Sequence, residues 1–305
     1  MSEKMIRYFV LTAAIAGLSA CAHGNGGDSD SAMIAPSKSL TVLQVDHPIE
    51  LRLKADPKHV EKVAYYSRTS SESFEDNQVR HQKNDSLEFT SQAETLRADP
   101  SSDRFTQVLS IVSKDGAGDL HDYAMPEQGE RLEVTADSRG RILRAGDYPT
   151  SSIFYVSPVS LPSGPVSQGD TWTMVANWVS LEESVPYRLD MVSILKGFWN
   201  CGKDRCAQIE VSGEVGIDGM ANQAMSFKSV WRGMLYFDID AGTVVWSRVD
   251  SDEQFAAGNV RRNVTSCLEA ALTEPTDEKI PGLAKPNCEW RKSDPPSPSA
   301  LTQKP

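Results

Sequence analysis

The chain has 305 residues, a formal net charge of −11 and 39% hydrophobic residues. That length holds one large domain or two ordinary ones around a real core. An acidic chain without a basic cluster is excluded as a nucleic-acid binder and as a protein that adheres to anionic lipid by charge alone. At the N-terminus Lys4 and Arg7 precede an uncharged, mostly apolar run from Tyr8 to Gly17. The run is too short to span a bilayer and fits the core of a signal peptide.

Leu18-Ser19-Ala20-Cys21 follows at once, small residues leading to a cysteine. This ending resembles the lipobox of bacterial lipoproteins. The resemblance implies cleavage after Ala20 and a diacylglycerol thioether on Cys21, which becomes the first mature residue. Residues 1–20 are then the signal peptide, leaving 305 − 20 = 285 residues. Their loss removes Lys4, Arg7 and Glu3, a net +1, so the mature chain carries −11 − 1 = −12. Ala22 stands where an aspartate would retain an enterobacterial lipoprotein in the inner membrane. The pattern therefore points to the bacterial cell envelope at the outer membrane, with attachment through acyl chains.

Residues 21–38, with Gly24, Gly26 and Gly27 among polar neighbours, read as the lipidated cysteine and a flexible tether. From Leu40 the chain reads as strands: Leu40 and Val42 begin one run, and Ile49, Leu51 and Leu53 alternate with Glu50 and Arg52 in another. Asp56-Pro57 offers a cap for a short helix through about Tyr65, with a strand over Val63 to Thr69 as the alternative. Period-2 alternation is clearest in Leu87, Phe89, Ser91 and Ala93, in Leu132, Val134 and Ala136, and in Ile209, Val211, Gly213 and Val215. Phe105 to Val112 is a candidate partner strand. Met225, Phe227, Trp231, Leu235 and Phe237 share one parity of a long strand that ends at Asp238 to Gly242, and Val244 to Val249 leads back.

One-faced alternation belongs to antiparallel sheets. No amphipathic helix of more than about twelve residues appears after the signal. The expected class is mainly β: a large antiparallel curved sheet, half-barrel or barrel-like meander, with little helix. Residues 39–273 form one β-rich domain, and residues 274–305, rich in Pro and Ser, a mostly disordered tail. Two hairpins, Leu132 to Ile142 and Leu235 to Val245, share the plan of apolar strand, Asp-containing turn, glycine and apolar return. They suggest duplicated halves over about 39–160 and 161–273. Between them, Pro165-Val166 and Gly169-Asp170-Thr171-Trp172 resemble a segment of exported bacterial β proteins of unknown function. Physically it is a rigid crossover that presents an aromatic ring to the core.

Without Cys21, four cysteines remain: Cys201, Cys206, Cys267 and Cys288. An oxidising compartment permits disulfides, and three connectivities exist on paper. Cys201 and Cys206 flank a turn-like Gly202-Lys203-Asp204-Arg205, so a bridge across a hairpin neck is the simplest pairing. Cys267 with Cys288 follows by exclusion. No metal site is expected, because the C-x4-C spacing is not the usual zinc one and all five histidines lie at or before His121.

Catalytic signatures are weak. Ser193-Ile194-Leu195-Lys196 matches the S-x-x-K pattern, but its flanks read as strand, which points the two side chains apart. Asp238, Asp240, Asp250, Asp252 and Glu253 form an acidic string best explained as a solvated hairpin end. His47, His59, His81 and His121 show no ligand spacing and are expected on the surface. The chain is thus expected to be no enzyme and to use no cofactor. Met225, Phe227, Trp231, Leu235 and Phe237 are either a filled core or the wall of a cavity on a concave face. The second case resembles, in fold alone, the half-barrel lipid and lipoprotein carriers of the bacterial envelope. The expected function is a non-catalytic, membrane-anchored envelope lipoprotein that binds a lipid or other hydrophobic ligand. The alternative is an interaction or scaffold module for an envelope protein, with a solid core. An envelope hydrolase ranks behind both.

Overall fold

The computed structural model describes residues 41–57, 60–99, 101–181, 184–201, 204–218, 225–274 and 288. The lipobox with Cys21, the tether, and the tail apart from Cys288 lie outside these residues. The strands are β1 (Thr41–Leu43), β2 (Val60–Glu75), β3 (Gln78–Asp99), β4 (Arg104–Gly116), β5 (Arg131–Asp137), β6 (Ile142–Ala145), β7 (Thr171–Val179), β8 (Pro186–Cys201), β9 (Asp204–Ile217), β10 (Met225–Asp238), β11 (Thr243–Ala257) and β12 (Val260–Glu274). All pair antiparallel in one 12-stranded sheet, with the order β1-β8-β9-β10-β11-β12-β2-β3-β4-β5-β6 and β7 also on β8. This is the mainly β, curved antiparallel sheet that the alternation predicts. The helix considered from Asp56-Pro57 does not form, because Val60 to Tyr65 already belong to β2.

Chain order makes two meanders, β2 to β6 and β7 to β12, and the pairing of β12 with β2 fuses them into one sheet. Their hairpins are set by local chemistry. Asp76 and Asn77, at φ 50° and 64°, turn β2 into β3 with both central residues left-handed, the geometry that matches strand twist. Two other turns share a device. Asp137 Oδ1 accepts the N–H groups of Arg139 and Arg141, and Asp238 Oδ1 those of Asp240 and Ala241. Each turn also has a glycine where a second segment crosses. A Cβ on Gly140 would lie 2.6 Å from the Val159 carbonyl oxygen, and one on Gly242 2.7 Å from the Lys54 nitrogen. The segment from Ile49 to Lys54 runs past both turns, donating Leu53 N–H to Ser138 O and Lys54 N–H to Gly242 O.

The inner face of the β7–β11 half is filled. Ile49 and Leu51 from that crossing segment, with Ile153, Phe154, Val159 and Leu161 from the connection between β6 and β7, pack on Tyr187, Leu195, Trp231 and Phe237. Each large apolar side chain so buried contributes about 1.5–3 kcal/mol, which fixes both segments against the sheet. Trp172 joins this core and donates its indole N–H to Ser160 O at 2.8 Å. On the outer face the Cys201–Cys206 and Cys267–Cys288 bridges are formed. The second holds Cys288 against β12, where its N–H donates to Glu269.

Candidate functional site

The inner face of the other half is not filled. Side chains from β11, β12, β2, β3, β4, β5 and β6, consecutive in the sheet, surround one cavity of about 260 Å³. That seven neighbouring strands enclose a single space shows how strongly the sheet curls. Val63, Leu109, Val134 and Leu268 supply apolar wall, while Ala93, Ala136 and Ala270 project too little to fill the centre. Tyr123, Ala124 and Met125, in and just after a 3-10 turn at Leu120–Tyr123, close one end. Phe154, Val156 and Val159 wall it off from the filled half.

Most polar side chains of this wall are engaged. Thr243 donates to Glu61, Gln107 donates to Thr95 at 3.1 Å, and Tyr123 Oη donates to Ser67 Oγ at 2.9 Å. Tyr65 stacks on Phe89 with ring centroids 4.5 Å apart, and its phenol is pushed up to about 12 by burial, against the pull of Ser91. The closing turn is held by Glu127, which accepts Leu120 N–H at 2.6 Å and pairs with Lys114 at 2.7 Å. Burial opposes ionisation of Glu127, but these partners outweigh it and its pKa is lowered.

Sequence parity placed Phe227, Trp231, Leu235 and Phe237 on the inner face, and there they lie. They are nevertheless core and not cavity wall, with exposures of 7%, 1%, 2% and 0%. Met225 is half-buried at the start of β10, and none of the five lines the cavity. The physical reason is the pair of crossing segments from Ile49 and from Ile153, which cover that half of the sheet. The residues that do line the cavity were marked by the opposite signal, small side chains at inner positions such as Ala93 and Ala136.

Beyond Tyr123 the inner face turns polar and stays buried. Thr69, Ser71, Ser229, Ser251 and Ser266 are all buried, and Glu253 sits among them, 2% exposed. Glu253 accepts from Ser251 at 3.4 Å, and burial foremost pushes its carboxyl up to about 8, with Arg262 acting the other way. The acidic string is therefore not one solvated end. Asp238 is buried and caps its turn, Asp240 takes Arg205 at 2.6 Å, Asp250 takes Arg248 at 2.7 Å, and Glu253 is buried without an ion-pair contact among the described residues. Among the described residues no group of three or more His, Cys, Asp or Glu is placed to hold a metal ion. Ser193 is buried in β8, whereas Lys196 is exposed and pairs with Glu210 at 2.9 Å. His47 and His81 are exposed and His59 lies outside the described residues. His121 departs from the surface expectation: it is half-buried, 3.1 Å from Tyr148 Oη and 3.2 Å from Glu130.

No family model and no curated protein matches this sequence. Among solved structures, a lipovitellin structure concerned with lipid–protein interactions has a TM-score of 0.39 and 11% identity, over 75% of this chain. This chain spans only 27% of the length of that lipovitellin chain. A mutant porin of Rh. blastica has a TM-score of 0.27 and 9% identity, over 70% of this chain and 100% of the porin. An outer-membrane channel of Pseudomonas putida F1 has a TM-score of 0.21 and 8% identity, over 79% of this chain and 100% of the channel.

Proposed function

We propose that this protein is a non-catalytic lipoprotein of the bacterial envelope, anchored through Cys21 at the outer membrane, and that it binds a hydrophobic ligand inside the curl of its sheet. The cavity between β11 and β6 carries this proposal. Its wall is mostly apolar, and its Glu61, Gln107, Tyr123 and Thr243 side chains are hydrogen-bonded within the protein, which favours an apolar guest. At about 260 Å³ it falls just below the ~300–1,000 Å³ of pockets that hold drug-sized ligands, which suits one acyl chain better than a whole phospholipid. A scaffold role is supported by the filled β7–β11 half, whose outer surface remains for a partner.

Ala93→Phe tests the binding role directly, because it adds a ring at a half-buried position of the cavity wall. An environment-sensitive fluorescent fatty acid should bind the lipid-free protein saturably. The variant should lose that binding and keep or raise its melting temperature. Equal binding by both proteins would place the ligand elsewhere and reject the cavity.

A further inference from the structure

The sheet is open along one seam. Among the described residues β6 pairs only with β5 and β7 only with β8, and these two edges line opposite sides of a cleft of about 710 Å³. The 3-10 turn at Ile153–Tyr155 touches both edges, and Val179 N–H donates to Ser151 O at 2.6 Å, so the connection between the strands spans the gap from below. Val175 of β7 points into this region with 53% of its surface exposed. Two side chains, Ile142 and Val156, line both this cleft and the inner cavity. A single layer of side chains thus separates the cavity from solvent at the seam.

The rim of the cleft is cationic. Arg104, Arg139 and Arg141 line it together with Asp103 and Asp137. Both acids are already engaged: Asp103 accepts from Arg52 at 2.9 Å and from Ser138 at 2.7 Å, and Asp137 pairs with Arg141 at 3.0 Å. That leaves Arg104 and Arg139, and among the described residues no carboxylate stands in ion-pair range of either. The Arg139 side chain donates to the Pro162 carbonyl at 3.4 Å and acts on the Glu50 carboxylate at longer range. In a chain of net charge −11, two guanidinium groups that form no direct ion pair, Arg104 between Asp99 and Asp137 in the ladder and Arg139 within the longer-range field of Glu50, stand beside an apolar passage and favour an anion that can contact them directly.

We infer that the seam between β6 and β7 is the mouth of the cavity, and that the ligand is an anionic amphiphile. Its single acyl chain passes between Ile142 and Val156, and its carboxylate or phosphate head rests on Arg104 and Arg139. This rests on the hydrophobic-ligand proposal above and adds the class of head group. Guanidinium groups bind either oxyanion through paired N–H donors, so carboxylate and phosphate heads are both candidates by chemistry.

The test uses the full chain carrying Cys21→Ser, so that added ligand is the only lipid, and measures binding of dodecanoate, dodecyl phosphate and dodecan-1-ol. The acid or the phosphate should bind at least tenfold more tightly than the alcohol, and its affinity should fall as salt is raised. Arg104→Gln combined with Arg139→Gln should remove that advantage and leave the alcohol unchanged. Because Arg104 is exposed and Arg139 half-exposed, the double variant should melt as the parent does. The stronger of the two anions identifies the head group, and inorganic phosphate alone should not compete. Equal affinity for all three ligands, unaltered in the double variant, would overturn the assignment of the head while leaving the cavity in place. Failure of all three to bind would reject the hydrophobic-ligand proposal itself.

Discussion

Glu253→Gln gives a stability change whose size depends on pH. Glu253 is 2% exposed, its Oε1 meets Ser251 Oγ at 3.4 Å, and its Oε2 has no hydrogen-bond partner. That environment suits a neutral carboxyl, and burial, opposed in part by Arg262, pushes it up to about 8 from an ordinary 4.5. Between these two values the folded protein keeps a proton that the unfolded chain has released. The stability from the neutral carboxyl is therefore complete below about 4.5 and is lost as pH rises toward 8, at no more than about 1.4 kcal/mol per pH unit. Glutamine keeps the shape and cannot ionise. Burial also raises Asp238 and Asp252, but both are present in the two proteins and cancel in the difference. Urea unfolding of both proteins across this window should show a constant difference at the acid end, then a growing advantage for the variant. A flat difference would refute the reasoning. So would a variant weaker at every pH by about 3–5 kcal/mol, which is what breaking a buried ion pair with Arg262 would cost.

Trp231→Ala should cost about 3–5 kcal/mol in denaturant unfolding, since the ring is 1% exposed in the filled half and its indole N–H donates to Ser229 at 2.6 Å. The fraction that remains folded should bind the fluorescent fatty acid as the parent does, and a variant of undiminished stability would contradict its place in a packed core. Cys21→Ser should abolish palmitate labelling and leave precursor or soluble protein; labelling that persists would remove the proposed anchor.

The fold was legible wherever large and polar residues alternate. β3, β5, β9 and β10 contain the longer alternating runs, because a half-buried antiparallel strand imposes that period, whereas the alternation of Ile49, Leu51 and Leu53 yields only an isolated bridge from Ile49 to Val166 in the crossing segment. β12 was silent for a physical reason. Arg262 and Ser266 interrupt the parity that Val260, Val264, Leu268 and Leu272 share, and Glu269 with Ala270 and Ala271 lowers its strand propensity. It is a strand because β11 and β2 pair with it along nearly its whole length. Parity also told which side of β10 faces inward, but not how far the space opposite is filled. That depends on Ile49 and Leu51, whose own alternation does not say which face they cover, and on Ile153 and Phe154, from a connection without periodicity.

The division of one inner face into a full half and a hollow half follows from what each half presents. The β7–β11 half places Trp178, Tyr187, Phe227, Trp231 and Phe237 inward and receives two apolar segments on top. The other half presents Ser91, Ala93, Ala136, Ser247 and Ala270, and the 3-10 turn at Leu120–Tyr123 covers only one end. At about 24 cal/mol per Å³, the rate found when cavities are cut into packed cores, a void of about 260 Å³ would cost about 6 kcal/mol. That is comparable with the ~5–15 kcal/mol by which whole domains are stable. The wall stands without a filling because its strands are held edge to edge by the ladders from β11 to β6 and by the Glu61–Thr243 and Tyr123–Ser67 hydrogen bonds. A guest of matching shape would recover much of the lost contact, so binding should raise the melting temperature, and Ala93→Phe should raise it in the absence of any guest. The two effects should not add, since ring and guest compete for the same space.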